Sequence, residues 1–102
     1  MEEKYNFIEL GMKKERSYIF AKELVEQHNP QAISSIRNMI DSYKETEKAC
    51  GVDLSEDITR LNNAIYRVKN QKWDDILDIL ISSADIYDML VEGCKCKKIR
   101  KE

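Results

Sequence analysis

The chain has 102 residues, 42% of them hydrophobic, with 17 basic and 19 acidic side chains for a net charge of −2. That bounds a single domain with enough apolar content for its own core and excludes a disordered polyampholyte. Three glycines and one proline are too few for a turn-rich all-β protein, and none stands in a phosphate-loop context.

The charge is unevenly placed. Residues 73–92 carry six acids and no base, while residues 93–102 carry five bases and one acid. This polarity is the most unusual feature of the chain. No apolar run approaches the ~20 residues a membrane span requires. The charged start MEEKYNF lacks the basic-then-apolar order of a secretory signal, so a cytoplasmic protein with no membrane partner is expected.

Four helices are expected, packed as an all-α, antiparallel up-down four-helix bundle over residues 1–92, followed by a basic, flexible C-terminal tail over 93–102. The first helix is drawn from about Glu3 to His28, with Tyr5, Ile8, Met12 and Ile19 on one stripe and Phe7, Leu10, Ala21 and Leu24 beside it,. Gly11 is a weak point within it. Asn29-Pro30 ends it, and Asn29 caps the next helix with Pro30 at its first position,.

The second helix, from Pro30 to about Cys50, spaces Ile33, Ile36, Ile40, Tyr43, Glu47 and Cys50 at intervals of three and four. That is a packing seam with one polar interruption, Glu47. Gly51 suits the residue just past the helix end. Asp53 to Glu56 resembles a capping box, with Ser55 a second cap candidate.

The third helix carries Leu54, Ile58, Leu61, Ile65 and Val68. The phase then slips, because the next strong apolar residue, Trp73, is five positions on. The slip places a turn near Asn70. Without that turn, residues 54–92 would form one long helix in a three-helix fold, the alternative architecture.

The fourth helix, Trp73 to about Glu92, is apolar over roughly 220° of its circumference at 100° per residue. A face wider than the usual stripe meets more than one neighbour. Self-association, most simply a homodimer, is therefore expected.

Three groups of residues bear on function. Asp74, Asp78, Asp85 and Glu92 fall on one stripe of the fourth helix, which with Trp73 forms a candidate protein-binding face. Between Ile58 and Trp73 there is no acid, while Arg60, Arg67, Lys69 and Lys72 are present. With Lys95, Lys97, Lys98 and Arg100 of the tail, these are candidate phosphate contacts for a nucleic acid. The acidic fourth helix counts against a recognition helix.

Cys50, Cys94 and Cys96 are redox candidates. Their number is odd, and a reducing cytosol favours free thiols. If the third and fourth helices form a hairpin, Cys50 comes to the same end as Cys94. His28, the only other ligand type for a zinc site, lies at the opposite end. No metal and no cofactor are expected. His28 itself suits a helix C-terminus, where its cation meets the dipole.

No nucleophile, base and orienting group recur in a known pattern, so an enzyme is not expected. The expectation is a non-enzymatic helical interaction module, an adaptor, inhibitor or small subunit acting through protein–protein contacts. A nucleic-acid-associated accessory protein is the second reading. A small-ligand or nucleotide-binding oligomer is the third.

Overall fold

The computed structural model describes residues 11–92. It contains a 3₁₀ turn, Met12–Lys14, and four α-helices: α1 (Arg16–Glu26), α2 (Ala32–Cys50), α3 (Ser55–Lys69) and α4 (Ile76–Val91). Sequential helices are antiparallel neighbours, α1 closes against α4, and α2 meets α4 across the middle. The fold is the expected all-α up-down bundle. The expected tail over 93–102 lies outside the described residues.

The boundaries follow from local chemistry. α1 ends in a motif where the Asn29 amide donates to the Leu24 carbonyl and the His28 amide to that of Val25. His28 occupies the left-handed position at φ 55°, a place usually taken by glycine. The Asn29 side-chain oxygen then accepts the Gln31 amide at 2.9 Å, so Asn29-Pro30 stops one helix as its sequence implies, but the next begins at Ala32 with Gln31 at its cap position rather than at the expected Pro30.

At the other end of α2, Gly51 takes φ 70° and its amide donates to Glu47 O. The Asp53 carboxylate accepts both the amide and the hydroxyl of Ser55, at 3.0 and 2.7 Å. Glu47, the polar break in the second seam, has a partner: its carboxylate accepts the Leu54 amide at 2.6 Å. It satisfies one of the orphan donors at the start of α3, where negative charge is favoured.

The turn near Asn70 also forms. The Lys72 amide donates to Arg67 O and the Gln71 amide to Val68 O, with Gln71 at φ 58°. This repeats the closure at His28. The chain therefore reverses between Lys69 and Ile76, and the one-rod alternative is not adopted. At the same end the His28 and Trp73 rings stack, centroids 4.9 Å apart and 2° from parallel.

Two expectations fail in the first helix. Within the described residues it is not continuous: Gly11 sits at φ 78° and ψ 169°, Met12–Lys14 form a 3₁₀ turn, and Glu15 is extended before α1 begins. The cause is a contact 76 residues away in sequence, in which the Met12 amide donates to Asp88 Oδ1. A Cβ built on Gly11 would stand 2.7 Å from that same oxygen, so only glycine lets the backbone approach. The break also resets the helical phase. The stripe through Met12 does not continue to Ile19, which is exposed. Tyr18, Ala21 and Val25 are buried instead.

The core is aliphatic at both ends and polar in the middle. Tyr43 and Tyr87 are buried with ring centroids 4.7 Å apart. The Tyr43 hydroxyl bonds Ser83 Oγ at 2.8 Å, and the Tyr87 hydroxyl bonds Thr46 Oγ1 at 2.7 Å. Both bonds join α2 to α4, the diagonal pair, and all four residues are essentially inaccessible. Burial pushes both phenols upward, the Tyr87 value to about 12, although each hydroxyl partner partly offsets the shift.

Cys50, one of the redox candidates, is disulfide-bonded rather than the free thiol that a reducing cytosol favours. Cys94 and Cys96 lie outside the described residues.

Candidate protein-binding groove

The wide apolar face of α4 divides into three flanks. Ile76, Leu80, Ala84, Tyr87 and Val91 are buried in the core. Leu77 and Trp73 pack at its margin. A third row, Ile79, Ile86 and Leu90, stays at or near the surface. Its spacing of seven and four keeps it on one helical stripe, beside the seam with α3.

That row is the floor of a groove. One part, about 420 Å³, is lined by Arg60 of α3 and by Asp75, Asp78, Ile79, Ser82 and Ile86. The next part, about 350 Å³, shares Arg60 and Ile86 and continues to Leu90, Asp53, Ser55, Glu56 and Asp57. Among the described residues, together they are lined by five carboxylates (Asp53, Glu56, Asp57, Asp75 and Asp78) and one guanidinium, Arg60, with a second guanidinium, Arg67, reaching Asp75 from beside them. A smaller hollow of about 250 Å³ lies on α1 beside Tyr18 and Lys22, where the Lys22 ammonium stands 5.3 Å from the Tyr18 ring centre.

The central charge pair of the groove comes from one helix. Asp57 and Arg60 are three apart on α3 and meet at 2.7 Å, the spacing at which helical side chains face one another. Asp57 is only 3% exposed. Burial pushes its carboxyl upward, Arg60 opposes that, and Glu56 adds to it. A lone buried carboxylate is costly, so Arg60 stays on it and divides the groove. Asp57 was not singled out from sequence. The available signal was a carboxylate on the apolar stripe of the third helix, four residues before Leu61.

The sequence candidates distribute as follows. Asp74 is exposed in the turn ahead of α4, Asp78 and Asp85 are exposed along its outer face, and Glu92 is exposed at its C-terminal cap. Asp78 borders the groove, whereas Asp85, on the same stripe two turns on, is paired with Lys13 of the 3₁₀ turn. Trp73 lies at the far end from Glu92, stacked on His28.

Arg60 and Arg67 are in ion pairs, Arg60 with Asp57 and Arg67 with Asp75 at 3.7 Å. Lys69 and Lys72 are exposed at the turn into α4. Lys95, Lys97, Lys98 and Arg100 lie outside the described residues. Among the described residues, no group of three or more His, Cys, Asp or Glu side chains is placed to hold a metal ion. No helix among them is long and apolar enough to cross a membrane.

Among the described residues, fold and surface together define a small all-α bundle with an acid-rimmed, apolar-floored face between α3 and α4. No protein-family model, curated protein or solved structure matches the chain.

Proposed function

We propose that this protein is a non-enzymatic interaction module and that the α3–α4 groove is where it binds another protein. The carrying observation is the combination of an apolar row, Ile79, Ile86 and Leu90, with five surrounding carboxylates and one guanidinium already held by Asp57. An amphipathic helix docks in such a groove with residues spaced three, four and seven apart. The rim selects a helix whose apolar ridge is flanked by Lys or Arg. Two copies of this face would oppose like charges across a two-fold axis, so the reading favours a different chain as partner.

The test compares two variants with the wild type in parallel affinity capture from the native source. Ile86→Asp removes the apolar floor, and Asp78→Lys reverses an exposed rim charge. Far-UV circular dichroism confirms that both remain folded. Proteins held by the wild type are expected to be lost from both variants and released from the wild type by salt. Retention of the same set by all three would place binding elsewhere and refute the reading.

A further inference from the structure

Glu15 is an acidic side chain in an unusual place. It stands at the start of α1, yet its carboxyl makes no bond to the free amides there. It turns inward instead, where Oε1 accepts the Ser42 hydroxyl at 3.3 Å and Oε2 is buried without a partner.

Among the described residues, the groups that face it are acidic or neutral. From α2 come Ser42 and Glu45, and from α4 come Asp88 and Tyr87. In its own segment the Lys13 ammonium is taken by Asp85. Among the described residues, the other ties of the segment it belongs to are the Met12 amide on Asp88, the fully buried Met12 side chain and the Lys13–Asp85 pair.

We propose that Glu15 is a proton-operated latch. As a neutral acid it stays between α2 and α4 and holds residues 11–15 on the bundle. As a carboxylate it withdraws to water or to the free amides of α1, and the segment detaches. Release uncovers Met12 and frees the carboxylates of Asp85 and Asp88, so the α1-facing flank of α4 changes both polarity and charge.

The direction of the switch follows from the environment. Burial is the main force on Glu15 and raises its ionisation to about 7 from 4.5. Asp88 and Glu45 add to the rise and Ser42 opposes it. A group with a raised value binds its proton more tightly in the docked state. Its contribution to docking is therefore fully present below pH 4.5 and lost as pH rises through about 7. The proposal does not depend on the groove reading.

Hydrogen exchange of the Met12 amide, corrected for its intrinsic pH dependence, reads the latch directly. Met12 protection is expected to fall by up to about tenfold per pH unit within that window, while the Leu61 amide on α3 stays unchanged. Glu15→Gln should hold Met12 protected across the range. Ser42→Ala should move the midpoint up and Glu45→Gln should move it down. His28→Asn, at the far end of the bundle, should leave it in place.

Wild-type protection that is flat with pH, or a dependence that survives Glu15→Gln, would overturn the latch. Should Glu15→Gln not fold, the two midpoint shifts decide, and the absence of both refutes it.

Discussion

The two hydroxyl pairs across the core make a prediction whose sign depends on how many partners are removed. Tyr43 and Ser83 are inaccessible and bonded to each other at 2.8 Å. Ser83→Ala leaves the Tyr43 hydroxyl buried and unpaired, which costs about 1–3 kcal/mol. Tyr43→Phe strands Ser83, but a helical serine can turn back to the carbonyl four residues earlier, so its cost should sit near the lower end, about 1 kcal/mol. The double variant removes both polar groups and leaves an apolar contact. It should cost less than the sum of the singles, with a coupling energy of about 1–2 kcal/mol. Urea unfolding followed by circular dichroism measures all four proteins, and an unchanged slope confirms that the unfolded states are comparable. In a domain of this size 1 kcal/mol moves the melting temperature by roughly 4–8 °C. Strict additivity would mean that the hydroxyls do not pair in the core, and the account of the α2–α4 contact would fail. The Thr46→Val and Tyr87→Phe cycle should repeat the pattern.

Two further substitutions test the backbone. Gly11→Ala should destabilise by about 2–4 kcal/mol, from a backbone region that only glycine tolerates and from the lost bond between Asp88 and the Met12 amide. The cost is capped by the free energy of undocking the segment. In an Asp88→Ala background the clash is gone and the added cost should fall to the backbone share alone, about 1–3 kcal/mol; an equal cost in both backgrounds refutes the contact. Gln71→Gly relieves a left-handed residue that is exposed at the helix end and should stabilise by about 0.5–1 kcal/mol, measured as a denaturant midpoint. His28→Gly relieves the same strain but forfeits the stack on Trp73, itself about 0.5–1.5 kcal/mol, and should come out near neutral. Destabilisation by Gln71→Gly would count against the left-handed closure.

What could be read from the chain was local chemistry. Asn29-Pro30, Gly51 and Asp53 mark helix ends because the bonds they make reach only a few residues. The slip between Val68 and Trp73 located a turn without a glycine because burial on one face cannot tolerate a phase error of that size. What stayed hidden depended on partners distant in sequence. Gly11 appears as a weak helical residue until Asp88 approaches it, and Ile19 belongs to a stripe only if the helix through Gly11 is unbroken. Glu47 appears as a defect until the amide of Leu54 is placed beside it. Periodicity likewise showed that α4 carried too much apolar surface, but could not divide it among neighbours.

That division explains why a helix with so wide an apolar face needs no second copy to account for most of it. Ser83 and Tyr87 face α2 through hydrogen bonds. Asp85 and Asp88 hold the segment ahead of α1. Ile79, Ile86 and Leu90 border α3 and floor the groove. Ser83 and Leu90, seven residues apart, share a stripe, so substitutions on α4 should sort by the neighbour each side chain meets rather than by its depth along the helix. A change at Ser83 acts on global stability and a change at Asp88 acts on docking of residues 11–15. A change at Ile86 acts on the groove with the core left intact, because that residue is only partly covered by its own chain. Among the described residues, only the last of these rows leaves apolar surface beside a rim in which acids outnumber bases, Asp57 and Asp75 being paired with Arg60 and Arg67 and Asp53, Glu56 and Asp78 in no ion pair, which is why the case for a partner rests there and not on the width of the face as a whole.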